Sequence, residues 1–436
     1  LYTRGWKFGL YQSSLSTRLI AAPEQGIRRR FLRLLLLDLR FAGCDACLEH
    51  FYTFMQFLHR HLLQRLRCVD QNWLFIRCGH GGHPSIRVTA LIKAETLPRC
   101  DSGVRRENTS DMATEMMKAV LVEEGAPLKL GDFEKPNLKP GEVLVKVAAS
   151  GLNRADLVQR RGAYPPPPGA SPIMGLEISG TVVETSDGTS RFKTGDRVAG
   201  LLAGGGYAEF AAVDEGSLFP VPDGMDMVNA ACFPEALMTV WANVFDRVHF
   251  QKGEAFLCHG GTSGIGVMAL QMTRIAGASK IYATAGSDDK CALSRELGAD
   301  RAINYKTEDF EKVVKEDGGV DVTLDMVGGD YIQKNISVSR PDGRIINIAY
   351  MNGFTAEVNF APVLMKRLTL AATTLRARPV EEKRRIRDAV EQDFWPHVVS
   401  GKIRPILEQA FPVAEAEAAQ ALMAKGGHSG KIVLVW

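Results

Sequence analysis

Cysteine is scarce over most of this chain. Among the 325 residues from Met112 to Trp436 only Cys232, Cys258 and Cys291 occur, far apart in sequence. That excludes a disulfide framework and fits a reducing cytosol. No compact four-cysteine cluster for a structural zinc exists there either. The apolar stretch "RFLRLLLLDLRF" is broken by Arg33 and Asp38 and falls far short of the ~20 residues of a membrane span. Charge of one sign is also lacking: residues 112–436 hold 36 Lys+Arg against 41 Asp+Glu, a net −5. A mildly acidic body gives no basis for nucleic-acid or acidic-membrane binding.

Residues 1–111 differ from the rest. They carry 17 Lys+Arg, 15 of them Arg, against 9 Asp+Glu, a net +8. They also hold Cys44, Cys47, Cys68, Cys78 and Cys100. No helix or strand periodicity persists there beyond a few turns. The set Cys44-x-x-Cys47, Cys68, Cys78, His80 and His83 lacks the compact second pair of a zinc site. An Arg-rich, acid-poor leader has the composition of a transit peptide but is long for one. At Met112 the text changes to "MATEMMKAVLVEEG", which reads as a protein start. The expectation is that residues 1–111 are upstream sequence translated in error, without stable structure.

What is present from Met112 onward is patterned. "KAVLV", "EVLVKVAAS", "SGTVVE" and "DRVAGLL" are short apolar runs bounded by Gly, Pro and Asp, as strands are. Long helices are absent before about Met227, so a β-rich front domain is expected. "YPPPPGASP" forms a stiff connector within it. After Pro234 the text alternates strand and helix: "AFLCH", "KIYAT", "RAINY", "VDVTLDMV", "GRIINIA" and "LTLAAT" are separated by helical stretches such as "SDDKCALSRELGAD". Alternation of this kind predicts a parallel, doubly wound sheet. The closing "AEAEAAQALMAKGGHSGKIVLVW" predicts a helix and a strand that rejoins the front domain.

Within "FLCHGGTSGIGVMALQMTRIAG", Gly261, Gly264 and Gly266 lie between a strand and a helix. Ile265, Met268, Ala269, Met272 and Ile275 recur at helical spacing and predict one packed face. Glycines let the backbone approach a pyrophosphate, whose charge the helix N-terminus stabilises. The spacing is G-x-x-G-x-G; with further βα units after it, the turn points to a dinucleotide. The next strand ends "ATAGSDDK". NAD binders usually place an acidic residue about 20 residues on, bonding the ribose hydroxyl; here the small Ala285, Gly286 and Ser287 leave room. Lys290 is placed to meet a 2′-phosphate, which favours NADPH. Asp288 and Asp289 speak mildly against this, and Lys290 as an ordinary solvated lysine is the alternative.

These stretches, with "GEVLVKVAASGLNRADLVQRRGAYPPPPGASPIMGLEISG", "TGDRVAGLLAGGGYAEF", "PEALMTVW", "INYKTEDF", "GGHSGKIVL" and "TTLRARP", resemble the zinc-free medium-chain dehydrogenases/reductases of the quinone oxidoreductase group. Within it they are most like the tumour-suppressor-inducible members and their bacterial relatives. The resemblance covers nearly all of residues 117–436 and none of 1–111. It implies a GroES-like β-rich catalytic domain over 112–236 plus 377–436, and a Rossmann cofactor domain over 237–376. Zinc relatives carry a catalytic Cys and His where this chain has Asn153 and Leu176, so no catalytic metal is expected and an alcohol is a poor substrate. Hydride transfer from NADPH to a small-molecule quinone is the implied reaction, catalysed by proximity and placed hydrogen-bond donors. A homodimer is expected by the same analogy, and a cytoplasmic location with no nucleic-acid or membrane partner from the cysteine usage and charge above.

The resemblance assigns Tyr164 and Ser263 to catalysis. It places Asn153 and Thr239 near the nicotinamide, and Gly261, Gly264 and Ile265 in the phosphate turn. Gly286, Ser287, Lys290 and Tyr305 fall on the adenosine-phosphate side. Ala349, Met351, Leu375 and Arg376 are further cofactor contacts. Plainer roles stand beside these: Tyr164 packing on the prolines, Ser263 or Asn153 capping a helix, Thr239 satisfied within its own helix, Tyr305 ending a strand. Among other activities, an enoyl or 2-alkenal reductase shares fold, cofactor and pocket. A cofactor-binding protein with a structural or RNA-associated role is opposed by the acidic body. A short-chain dehydrogenase is rejected, since its turn lies near the N-terminus and "YIQK" has the wrong Tyr–Lys spacing.

Overall fold

A computed structural model describes residues 115–123 and 125–436. The expectations for residues 1–111 and for a start at Met112 lie outside the described residues. Strand β1 (Met116–Leu121) pairs antiparallel with β2 (Lys129–Glu134) as a ribbon. β3 (Glu142–Gly151) is the spine of the front sheet and leads into helix α1 (Arg154–Arg160). β4 (Glu177–Thr185), β5 (Arg197–Leu201), β6 (Phe210–Asp214) and β7 (Leu218–Pro220) complete the front strands before the centre of the chain. Val143, Val145 and Val147 recur at the strand period of two and pack with Ile178, Val182, Val198 and Leu218. Turn α2 (Met227–Ala230) and helix α3 (Pro234–Val240) follow, and α3 runs directly into a π-helical segment over Trp241–Arg247.

The parallel sheet comes next. It comprises β8 (Ala255–His259), β9 (Lys280–Ala285), β10 (Arg301–Asn304), β11 (Val320–Asp325), β12 (Ser339–Asn347) and β13 (Thr369–Ala372). Helices α4 (Gly264–Ile275), α5 (Asp288–Glu296), α6 (Phe310–Glu316), α7 (Tyr331–Val338) and α8 (Ala361–Lys366) alternate with them. The strand order is β10-β9-β8-β11-β12-β13, all parallel. Strand order therefore reverses between β8 and β11, and a crevice opens beyond their carboxyl ends. This is the doubly wound sheet the alternation predicted.

Helices α9 (Val380–Asp393) and α10 (Trp395–Val399) return the chain to the front. β14 (Leu407–Pro412), α11 (Ala416–Lys425) and β15 (Lys431–Val435) end it. The front sheet runs β14-β15-β3-β4-β5-β7, with β6 also on β3. The last strand lies antiparallel to β3, with Val433 opposite Gly151. β2, β6, β7 and β14 were not foreseen, because they are short or largely exposed and carry little apolar alternation; β2 reads "KLGDFE".

One apolar core joins the two sheets. It runs from Leu201 and Phe219 through Leu237 and Met268 to Phe256 and Ile346. At its front end the Trp395 indole stacks on Phe219 with ring centroids 4.6 Å apart and meets Phe233 edge-on at 6.0 Å. Truncating this ring leaves a cavity between β7 and α3. Trp395→Ala is expected to lower unfolding free energy by about 3–5 kcal/mol in a denaturant titration, with both sheets melting in one transition.

Candidate active site

The crevice floor is polar and fully satisfied. His259, Thr284, Asp325 and Asn347 sit at or beside the carboxyl ends of β8, β9, β11 and β12, and all are buried. Asp325 accepts from Asn335 Nδ2 at 3.0 Å, Asn347 Nδ2 at 2.9 Å and the Val327 amide at 2.6 Å. Because the Asn335 amide nitrogen is spent on Asp325, its Oδ1 must accept from His259 Nε2 at 2.7 Å. His259 Nδ1 is left to accept from the Thr284 hydroxyl at 3.0 Å. Burial lowers the His259 pKa, so the ring stays neutral in this role.

Above the floor lies the glycine turn. A Cβ on Gly266 would stand 2.2 Å from the Gly260 carbonyl oxygen, and one on Gly261 would stand 2.8 Å from Ala283 Cβ. One on Gly264 would press the Lys431 side chain at 2.6 Å. These glycines let the turn close on β9 and on the C-terminal strand. Ser263 is the N-cap of α4, its hydroxyl accepting from the Gly266 amide at 3.0 Å, and Ile265 is the second residue of that helix. The other first-turn amides point where a phosphate would lie. At the end of β9, a Cβ on Gly286 would meet the Tyr305 hydroxyl at 2.7 Å, so the small residue lets the ring lie close. Tyr305 is 48% exposed, leaving a ring face free for stacking. Ser287 caps α5. Lys290 is half-buried, and its ammonium donates to the His428 carbonyl at 2.8 Å, which leaves two donors. A glycine cradle, a free helix start, an open aromatic ring and a lysine together fit a dinucleotide.

The opposite wall comes from the front sheet. Asn153 is the N-cap of α1, and its backbone amide donates to the Asp156 carboxylate at 2.8 Å. Its Nδ2 donates to Glu177 Oε1 at 2.8 Å, and its Oδ1 accepts from Lys431 Nζ at 2.8 Å. Lys431 Nζ also donates to the Leu152 carbonyl at 3.0 Å and to the Glu177 carboxylate. Lys431 and Glu177 are both buried, and the three ammonium protons have three acceptors. Glu177 Oε2 accepts from the Glu235 amide at 3.0 Å. Beside them Asp156 accepts from the Tyr207 hydroxyl at 2.8 Å. Burial pushes the Asp156 carboxyl up to about 6.

Glu235 lies in the first turn of α3 and is half-buried. Its Oε1 accepts from the Thr239 hydroxyl at 3.3 Å, while Oε2 receives no hydrogen bond from any described residue. Burial, and then the Glu177 carboxylate, push it up to about 7. Tyr164 is half-buried; desolvation and the nearby Glu235 raise its pKa, so the phenol keeps its proton. The Arg376 guanidinium lies 5.2 Å from the Tyr164 ring centroid. Arg376 is 5% exposed and donates to the Ala203 and Tyr164 carbonyls and to Gln159 Oε1. It clasps the Tyr164 loop.

The expected site residues thus fall into groups. Gly261, Ser263, Gly264, Ile265, Gly286, Ser287, Lys290 and Tyr305 gather along the ends of β8 and β9. Asn153, Thr239 and Tyr164 share the front wall. No hydrogen bond joins Tyr164 to Ser263. Ala349 and Met351 follow β12, and Met351 is 55% exposed. Leu375 is buried, and Arg376 faces protein acceptors. Glu177, Glu235 and Lys431 were missed as site residues; an isolated carboxylate or lysine in a strand or helix carries no spacing signal. No cluster of three His, Cys, Asp or Glu side chains among the described residues could hold a metal ion. Leu176 is buried, and Cys232 and Cys258 are buried free thiols pushed up to about 12, far from a reactive thiolate. Removing one partner of the buried pair strands the other's charge. Lys431→Met is expected to cost about 3–5 kcal/mol in denaturant unfolding, with much of it recovered in Lys431→Met/Glu177→Gln.

Two family models match: an alcohol dehydrogenase GroES-like domain over residues 139–223 and a zinc-binding dehydrogenase domain over 264–391. Quinone oxidoreductase-like protein 2 of Mus musculus is 31% identical over 270 residues, covering 61% of this chain and 75% of its own. The quinone oxidoreductase of Thermus thermophilus, whose structure was also solved with NADPH, is 30% identical with a TM-score of 0.63, over 74% of this chain and 100% of that one. CurK enoyl reductase is 25% identical with a TM-score of 0.63, over 73% and 99%. The chain also matches a phenolphthiocerol/phthiocerol polyketide synthase subunit of Mycobacterium tuberculosis at 31% identity, spanning only 14% of that protein's length. No helix among the described residues is long and apolar enough to cross a membrane. A GroES-like front, a Rossmann sheet that supports a pyridine nucleotide, and relatives of this kind place the chain among the medium-chain dehydrogenases/reductases, in the quinone oxidoreductase group.

Proposed function

We propose that the chain is an NADPH-dependent quinone oxidoreductase that transfers hydride without zinc. The Lys431 ammonium carries this reading. It lies against Asn153 and Glu177, beside the positions where zinc relatives carry their ligands. A buried monocation there opposes a divalent one, and Asn153 and Leu176 offer no thiolate or imidazole. A quinone needs no such metal, since hydride leaves its charge delocalised on oxygen. Bound NADPH supplies the hydride; the chain's own residues bind, orient and donate hydrogen bonds. Residues 112–236 with 377–436 form the catalytic domain, and 237–376 the cofactor domain.

Ser263, Gly261, Gly264 and Ile265 take the pyrophosphate, and Gly286, Ser287, Lys290 and Tyr305 the adenosine phosphate. Asn153 and Thr239 border the nicotinamide, while Ala349, Met351 and Leu375 line the remaining cofactor groove. Tyr164 and Ser263 donate to the acceptor oxygen, the protonated phenol being ready for it. Arg376 positions Tyr164. The enzyme works in the cytoplasm, consistent with its buried free thiols. An enoyl or 2-alkenal reductase is the second reading, favoured by the likeness to CurK enoyl reductase.

NADPH oxidation by the full chain, with an ortho-quinone, a para-quinone and a 2-alkenal and with NADH in parallel, tests this. Quinones are expected to turn over fastest, with NADPH preferred. Lys290→Ala should narrow that preference by about tenfold, the worth of one charge-assisted hydrogen bond. Alkenal preference selects the second reading, and NADPH binding without turnover a structural role.

A homodimer is part of the proposal. β13 is an edge strand of the parallel sheet, and Leu370 on it is 40% exposed. Beside it α8 exposes Leu364 and Met365 at 79% and 75%, and Phe360 precedes them at 62%. Such an apolar edge is a liability unless covered, and a second copy pairing β13 across a two-fold axis covers both at once. Leu364→Asp/Met365→Asp is expected to shift the mass measured by light scattering from dimer to monomer.

A further inference from the structure

We propose that Glu235 is a catalytic acid, the group that delivers a proton to the acceptor's oxygen as hydride arrives. This rests on the hydride-transfer reading above and names a residue outside the set the family likeness assigns. Reduction by NADPH adds one hydride, two electrons and a proton's mass, to the acceptor. A second proton must come from elsewhere, and a closed crevice needs a group to bring it.

Glu235 has the geometry for this. It stands one helical turn before Thr239, on the wall that also carries Tyr164, and its carboxyl is held by the Thr239 hydroxyl at 3.3 Å. Its backbone amide is tied to Glu177 at 3.0 Å, which fixes the helix start. Oε2 is without a partner among the described residues, so one oxygen is anchored and the other is left free to exchange a proton. The residue is half-buried between buried Pro234 and Ala236, so its side chain is the one of the three that is not sealed from solvent.

The charged groups facing it come from every packed element. Glu177 on β4 and Asp156 on α1 disfavour its anion, and Lys431 on β15 favours it. Tyr164, after α1, senses the Glu235 charge, as do Arg376 before α9 and Lys383 within it. Burial outweighs the cations and pushes the carboxyl up to about 7. An acid poised there is largely protonated at pH 6 and is lost as pH rises above 7.

The step balances. The acceptor takes hydride and is reduced by two electrons, while the nicotinamide is oxidised by two. An O–H bond forms on the acceptor as the Glu235 O–H bond breaks. The carboxylate left behind keeps the Thr239 hydrogen bond and regains a proton from water at Oε2.

The test is Glu235→Gln in the full chain, with a para-quinone and a 2-alkenal as acceptors. Glutamine keeps the Thr239 acceptor but cannot deliver the proton. Expected results are a kcat lower on the order of 10²-fold, unchanged KM, and loss of the fall in kcat above pH 7. NADPH affinity, read by fluorescence, should be unchanged, which also shows that the variant folds. In infrared difference spectra a protonated-carboxyl band that titrates near pH 7 should vanish from the variant. Wild-type turnover with an unchanged kcat or pH limb in Glu235→Gln overturns the assignment alone. No wild-type turnover with either acceptor overturns the hydride-transfer reading as well.

Discussion

The buried pair between Lys431 and Glu177 holds the front wall of the crevice together. An ammonium and a carboxylate taken out of water are costly, and the arrangement survives because every donor and acceptor is used. Lys431 reaches the Leu152 carbonyl, Asn153 and Glu177, and Glu177 in turn holds Asn153 and the Glu235 amide. A residue close to the end of the chain therefore sets the β3–α1 junction, the orientation of Asn153 and the start of α3. The same lysine's methylenes pack where a Gly264 Cβ would lie, so the glycine turn of the other domain leans on it too.

The cofactor side is organised by a different constraint, the need to satisfy polar groups where parallel strands stop. Asp325, Asn335, His259, Thr284 and Asn347 close a hydrogen-bonded floor with no member left over. A rigid floor keeps the glycine turn at one height, and preorganisation of that kind is what hydride transfer between two bound partners requires. The shared core around Phe219, Trp395 and Phe256 then fixes the two walls relative to one another.

Much of the fold was legible because it depends on local pattern. The strands of the parallel sheet are short apolar runs, and each ends near its expected residue, as "AFLCH" does at His259. The glycine turn was legible because its three glycines are each required by a close approach. Strands β2 and β14 were not, since they are mostly exposed and have little alternation to read. The π-helical continuation after Val240 was invisible as well, because it depends on packing rather than composition.

The site was half legible for the same reason. Gly286 and Lys290 stand close in sequence and point to a phosphate side by local pattern, whereas Tyr305 entered by resemblance alone. The meeting of Lys431 with Asn153 and Glu177, of Arg376 with Tyr164, and of Glu235 with Glu177 spans from tens to hundreds of residues. By itself the sequence determined the two-domain α/β architecture, the dinucleotide turn and the placement of Asn and Leu, not Cys and His, at 153 and 176, since residue type and spacing suffice for each. Tertiary structure alone decided which lone charges share a buried space, that Arg376 is a clasp on the Tyr164 loop, and that the Glu235 carboxyl is held near neutrality. Burial and long-range proximity create those properties, and neither has a local pattern.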